Sequence, residues 1–79
     1  MKAEIYTKPN CGWCVRAKSL LKARAIPYSE QIVGVDVSKS DIQQKVNALV
    51  TGVTVSTVPQ IFLDGVYVGG FSELNAKLG

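Results

Sequence analysis

The sequence predicts an α/β fold in the order β-α-β-α-β-β-α, with one four-stranded mixed sheet flanked by helices. Three observations predict it. Short alternating or β-branched runs are interleaved with stretches of helical period. An Asp64-Gly65 pair separates two of the runs as a two-residue hairpin turn. A Cys11-Gly12-Trp13-Cys14 motif stands where the first strand-like run gives way to the first helix-like one. A right-handed β-α-β unit followed by a hairpin closes into one sheet with helices packed on its faces.

The elements follow in order. Lys2 to Thr7 alternates and carries Ile5, Tyr6 and Thr7, which suits a strand. After the Pro9-Asn10 break, Gly12 to Ala25 is rich in helix formers, with Cys14, Ala17, Leu20 and Leu21 on one face. Pro27 ends that helix and opens a second strand, Tyr28 to Val33, and Gly34 to Lys39 connects onward. Ser38 with Asp41 three residues later forms an N-cap with an acidic first turn. Ile42, Val46, Leu49 and Val50 then make a helical stripe that ends at Gly52. Val53 to Ser56 is a loop, bounded by Gly52 and Pro59. Gln60 to Leu63 and Val66 to Val68 are the hairpin strands; Gly69-Gly70 breaks the second, and Ser72 caps a last helix through Leu78.

Cys11 and Cys14 are the only cysteines among 79 residues, and their spacing is that of a dithiol redox centre. Two intervening residues span about one helical turn, so the second sulfur reaches the first. The first sulfur, at the helix start, meets unpaired backbone N–H groups and the positive end of the macrodipole, which favour thiolate over thiol. Cys11 is therefore the expected nucleophile and Cys14, a turn further in, the more buried partner. A purely structural disulfide would close almost no loop and stabilise little. A zinc site needs four ligands, and the chain has no histidine and no further cysteine.

Length predicts a single domain over residues 1–79 that buries roughly 60% of its unfolded surface, so each core residue counts heavily. A hydrophobic fraction of 47% argues for a folded globule. No apolar run approaches the roughly 20 residues of a membrane span, and the opening residues lack a signal-peptide stretch. The expected setting is a reducing cytoplasm, where a C-x-x-C is catalytic more often than structural, and the expected state a monomer. The net charge of +3 matters less than its placement: Ile5 to Ser29 contains no acidic residue but holds Lys8, Arg16, Lys18, Lys22 and Arg24. With few interleaved aromatics these do not make a nucleic-acid surface. Lys22 and Arg24 complement a helix C-terminus, while Lys8 and Arg16 bias the redox end toward anions.

Three segments together resemble the glutaredoxin family of the thioredoxin fold across nearly the whole chain. They are Lys8-Pro9-Asn10-Cys11-Gly12-Trp13-Cys14, Thr57-Val58-Pro59-Gln60-Ile61-Phe62-Leu63-Asp64-Gly65 and Gly69-Gly70-Phe71-Ser72-Glu73-Leu74. The resemblance implies a glutathione-dependent thiol–disulfide oxidoreductase acting on glutathionylated and disulfide-containing proteins, with glutathione as co-substrate and no obligatory metal. It implies a cis-proline at Pro59 and glutathione contacts at Lys8, Trp13, Gln44, Thr57, Val58, Pro59, Gly70, Phe71 and Ser72. Backbone at Val58 would pair with the cysteine of glutathione like a short extra strand. The helix start after Gly70 would receive the γ-glutamyl carboxylate.

The chain departs from the family pattern at Gly12 and Trp13, where Pro and Tyr or Phe are usual, and at Glu73, where Asp is common. Two other readings stand beside the main one. A glycine after the first cysteine resembles cluster-binding members, in which two copies of Cys11 and two glutathione thiolates would hold a [2Fe–2S] centre. A redoxin fed by thioredoxin reductase and serving ribonucleotide reductase typically lacks the lysine before the motif and has Arg-Pro near the last helix. This chain instead has Lys8, and Phe71-Ser72-Glu73 after Gly70.

Overall fold

The structure, a computed structural model, describes residues 1–78. Its elements are β1 (Ala3–Thr7), α1 (Gly12–Ala23), β2 (Tyr28–Ile32), α2 (Lys39–Asn47), β3 (Gln60–Leu63), β4 (Val66–Gly69) and α3 (Phe71–Leu78), in the predicted order. The strands form one sheet ordered β2-β1-β3-β4. β1 and β2 run parallel, with Ala3 opposite Tyr28 and Thr7 opposite Ile32, and α1 is their crossover. β3 runs antiparallel to β1, with Ile5 opposite Ile61 and Tyr6 opposite Gln60, and β4 antiparallel to β3.

Period-two alternation divides the central strands between two cores. Ala3, Ile5, Ile61 and Leu63 pack with Ala17 and Leu21 of α1 and Leu74 of α3. Tyr6 and Phe62 turn to the opposite face, where Ile42 and Val46 of α2 and Val55 of the following loop cover them. Both faces of β1 and β3 are thus covered, which is why Ile61-Phe62-Leu63 is a continuous apolar run rather than an alternation. At the hairpin, Asp64 (φ 50°) and Gly65 (φ 80°) both take positive φ, as a type I′ turn demands.

Helix ends depart from the sequence reading for identifiable reasons. α1 stops at Ala23 rather than Ala25. Arg24 is the cap and Ala25 turns left-handed (φ 54°), so that Ala25 N–H donates to the Lys22 carbonyl at 3.0 Å and Ile26 N–H to the Leu21 carbonyl at 2.9 Å. This double bond pattern satisfies the last carbonyls and turns Ile26 back onto the core. α2 begins as predicted: Ser38 Oγ accepts from Asp41 N–H at 3.1 Å and Asp41 Oδ2 accepts from Ser38 N–H at 2.9 Å, a full capping box.

It ends at Asn47, however, leaving Leu49 (49%) and Val50 (37%) outside the core. The Gln43 side chain accounts for this. Its amide donates to the Val53 carbonyl at 2.7 Å and accepts from Val55 N–H at 2.6 Å, so Val55, only 3% exposed, fills the place the stripe assigned to the helix. β4 includes Gly69, and α3 starts at Phe71, which puts Ser72 inside its first turn rather than at the cap.

Candidate active site

The redox motif sits where β1 hands over to α1. Asn10, one of the few side-chain-bearing residue types that tolerates left-handed backbone, turns the chain with φ 61°. Cys11 follows in extended conformation as the N-cap of α1, and its Sγ accepts from Cys14 N–H at 3.1 Å. The sulfur therefore occupies the place where a helix start offers an unpaired donor to an acceptor, as the spacing predicted. Cys11 and Cys14 are joined in a disulfide. Cys14 is 2% exposed while Cys11 is only partly covered, so an incoming thiol or disulfide meets Cys11 first.

A second segment meets this one from the start of β3. The Val58–Pro59 bond is cis, Pro59 is buried, and the Val58 carbonyl lies 3.9 Å from Cys11 Sγ. Gln60 holds the segment in place. Buried at 5% exposure, it donates from Nε2 to the Thr57 carbonyl at 2.8 Å, and its Oε1 accepts from the Tyr67 hydroxyl at 2.5 Å. Burial, with the Glu73 carboxylate nearby, raises the Tyr67 phenol above its ordinary value.

Three depressions adjoin the redox motif and the Thr57–Pro59 segment, one of them lined by the cysteines themselves. One, of about 300 Å³, is lined by Trp13, the Thr57–Pro59 segment and Gly70 to Glu73. Trp13 forms its wall, with its ring tilted against Phe71 at 5.5 Å and the Arg16 guanidinium 4.7 Å above it. At its far end Gly70 N–H donates to Glu73 Oε1 at 2.8 Å. Gly69 is at φ 121°, and a Cβ there would stand 2.8 Å from the same oxygen, so this entry to α3 needs glycine. A smaller depression, about 100 Å³, lies beside Thr57 and Val58 and is flanked by Lys8 and Lys39 over Val33, Ile42 and Val55. The third, about 670 Å³, opens on the side of β2, with Lys8, Cys11, Cys14, Lys18 and Glu30 in its lining.

In that third depression Glu30 carries the clearest electrostatic signature. The Thr7 hydroxyl donates to Glu30 Oε2 at 2.6 Å and Lys18 Nζ approaches the same oxygen at 3.0 Å; in that order they hold the carboxyl below its ordinary value of 4.5. A carboxyl lowered in the folded state contributes stability that is complete above 4.5 and lost as pH falls through the folded value. Wild type should therefore lose stability in acid more steeply than Glu30→Gln. Urea midpoints measured from neutral pH downward check this, and parallel curves for the two proteins would refute it. Because the pair is partly solvated, the difference is modest, about 1 kcal/mol or less.

Comparison with known proteins decides the family. The family profile described as Glutaredoxin matches residues 3–68. The chain belongs to the glutaredoxin family. It is 36% identical over 73 residues to Glutaredoxin 3 of Escherichia coli, covering 92% of this chain and 81% of that protein. Among solved structures it is similar to Glutaredoxin 1 from Francisella tularensis complexed with cacodylate, at 35% identity and TM-score 0.77, covering 96% and 90% of the two chains. It is also similar to a buckwheat glutaredoxin solved as a glutathione complex, at 25% identity and TM-score 0.74, covering 95% of this chain and 66% of that one. Glutaredoxin membership and the paired cysteines make the protein a thiol–disulfide oxidoreductase, and the thioredoxin-like fold expected from the resemblance is present. Among the described residues, no helix is long and apolar enough to cross a membrane.

Of the residues the resemblance singled out, Lys8, Trp13, Thr57, Val58, Pro59, Gly70, Phe71 and Ser72 line these three depressions. Gln44 is not brought there: it lies exposed on α2, outside the lining of each. Lys39, the end of the expected Gly34–Lys39 connector and the first residue of α2, lines the same depression as Lys8. Gln60 and Tyr67 were also missed as site residues. The signal for Gln60 was a polar residue opening a strand otherwise buried on both faces, which must find a partner inside.

Proposed function

We propose that this glutaredoxin is a glutathione-dependent oxidoreductase that reduces glutathione mixed disulfides and protein disulfides through Cys11. The observation that carries the reading is the layout of charge and backbone donors around that sulfur. Glutathione is an extended tripeptide with a carboxylate at each end and a thiol between. Here Lys8 and Lys39 flank one end of the Thr57–Val58 segment, and the free N–H groups of Phe71 and Ser72 at the start of α3 lie at the other. Between them the Val58 backbone faces Cys11 Sγ, offering the extended pairing a peptide needs. Thr57 and Pro59 shape that floor, Trp13 and Phe71 wall it, and Gly70 admits close approach. Lys39 takes the part the resemblance gave to Gln44. The buckwheat relative solved with glutathione supports the ligand class.

The cycle balances as two exchanges. The Cys11 thiolate attacks the glutathione sulfur of a glutathionylated protein; the S–S bond breaks, and the protein thiolate leaves and takes a proton. The thiolate of a second glutathione then attacks the glutathione sulfur on Cys11, releasing glutathione disulfide and the Cys11 thiolate. With a protein disulfide, Cys11 attacks first and Cys14 resolves the mixed disulfide; two glutathiones then return the dithiol. Helix-start donors help most in the second exchange. A lower thiol pKa raises the thiolate fraction but lowers nucleophilicity, with a Brønsted slope of about 0.4–0.5, so attack gains little while departure becomes easier. These exchanges suit a monomer in a reducing compartment such as the cytoplasm.

The test is the rate at which the purified protein reduces a small glutathione mixed disulfide with glutathione as reductant. No turnover above the uncatalysed rate would sink the reading. Lys8→Ala should raise the apparent KM for glutathione by the equivalent of about 0.5–2 kcal/mol with little change in kcat, and added salt should narrow the gap. An unchanged KM at low salt would remove Lys8 from the site. A [2Fe–2S] centre would draw its thiolates from two copies of Cys11 and two glutathiones, since among the described residues no three His, Cys, Asp or Glu side chains gather. Anaerobic reconstitution of wild type and Gly12→Pro tests that carrier role, which a colourless monomer from both would remove.

A further inference from the structure

We infer that Arg16 and the exposed face of Trp13 form a docking surface beside the disulfide that selects protein substrates with acidic residues flanking the target cysteine. The inference rests on the exchange chemistry proposed above and adds no covalent step to it. Arg16 lies two residues beyond Cys14 on the exposed side of α1, and its guanidinium stands 4.7 Å over the Trp13 ring. That ring is 54% exposed, and Val15 beside it 57%. A guanidinium resting on an aromatic face keeps its N–H fork free and has less freedom to lose when a carboxylate arrives, which favours bidentate pairing.

The surrounding charges leave that carboxylate to come from outside. Among the described residues the ion pairs are Lys18–Glu30 and Lys45–Glu4, so Arg16, Lys8 and Lys39 pair with no carboxylate. The acidic groups that line the three depressions are already engaged: Glu30 with Thr7 and Lys18, and Glu73 with Gly70 N–H. Uncompensated charge at the redox end is therefore positive on several sides.

Arg16 also stands outside the lining of all three depressions, so glutathione seated in the groove leaves it unused. A polypeptide is different. It continues on both sides of its cysteine, and a flank that leaves the groove over Trp13 passes the guanidinium. An Asp or Glu there completes the pair, while a Lys or Arg is repelled.

The experiment uses the full chain and two glutathionylated peptides of equal length, one with Asp and Glu around its single cysteine and one with Lys, beside the mixed disulfide of cysteine and glutathione. At low salt, kcat/KM for the acidic peptide should exceed that for the basic one by about tenfold, and the ratio should collapse near 0.5 M salt, where screening is short-ranged (figures of the order expected for steering by a few charges). Arg16→Glu should cancel or invert the ratio while changing turnover of the small mixed disulfide far less than that of the acidic peptide, whereas Arg16→Lys should keep part of the ratio. Equal turnover of both peptides by wild type at low salt, or a preference untouched by Arg16→Glu, would overturn the inference. Binding of cysteine-to-serine versions of the peptides to the oxidised protein, followed by fluorescence anisotropy, reads docking without turnover. Failure on the small mixed disulfide alone counts against glutathione use; loss of the acidic preference in anisotropy counts against the docking surface.

Discussion

Cys11→Ser is expected to lower reduction of both glutathione mixed disulfides and protein disulfides by several orders of magnitude, while Cys14→Ser keeps much of the first activity and loses the second. The asymmetry follows from which atoms each substitution removes. Cys11 supplies the reachable sulfur, and a serine hydroxyl in its place, with a far higher pKa, is a poor nucleophile toward sulfur. Cys14 supplies two things to the site, its own Sγ and its backbone N–H, which donates to Cys11 Sγ at 3.1 Å. Serine removes the sulfur and keeps the N–H. The thiolate of Cys11 thus keeps its donor, and the mixed disulfide with glutathione remains open to attack by a second glutathione. Protein disulfides need an internal resolving thiol, and only they suffer. Rates on a small mixed disulfide and on a protein disulfide, measured for both variants, check this. An inactive Cys14→Ser with an active Cys11→Ser would reverse the roles.

Phe62→Ala is expected to cost about 3–5 kcal/mol of stability, the largest effect of any single truncation in the chain. Its ring is fully buried at the centre of β3, edge-on to Tyr6 at 5.8 Å and tilted against Tyr67 at 5.2 Å, with the Lys45 ammonium 4.7 Å from its centroid. Removing it empties the core beneath α2 and leaves Lys45 over a void. The Glu4 carboxylate and the Tyr6 hydroxyl that hold that ammonium would have to shift with it. A chain of this length has a total stability of roughly 4–12 kcal/mol, so the variant would sit at or near the edge of folding. Its midpoint in urea should fall sharply with an unchanged slope. An unfolding free energy within about 1 kcal/mol of wild type would show that the α2 side of the sheet contributes far less than its burial implies.

The features that sequence alone made legible are those whose physics is local. Ser38 and Asp41 specify a capping box within four residues, and Asp64-Gly65 specifies its turn within two. The Cys11–Cys14 spacing likewise carries its geometry with it. What stayed illegible depends on partners distant in sequence. Leu49 and Val50 continue the helical period of α2, and nothing nearby says that Gln43 will capture Val53 and Val55 and end the helix early. Ala25 gives no sign of left-handed backbone; Pro27 beyond it and the apolar Ile26 impose the turn. Lys39 reaches the site because the β2–α2 connection and the Val55–Val58 loop close around one depression, a juxtaposition that no motif encodes. Gln60 and Tyr67 share that history, since their bond exists only once β3 and β4 have paired.

The pairing of β1 with β3 has a consequence for time as well as for space. Cys11 and Val58 are 47 positions apart along the chain, yet they meet because Tyr6 lies opposite Gln60 at the end of the antiparallel ladder. A slip of two residues would keep every side chain on its proper face but carry Val58 about 7 Å along the strand, well beyond its contact with the sulfur. The helices can form early from short-range interactions, whereas this meeting waits for the closure of a long segment. Turnover regained after dilution from denaturant is therefore expected to report the seating of β3 in its correct register.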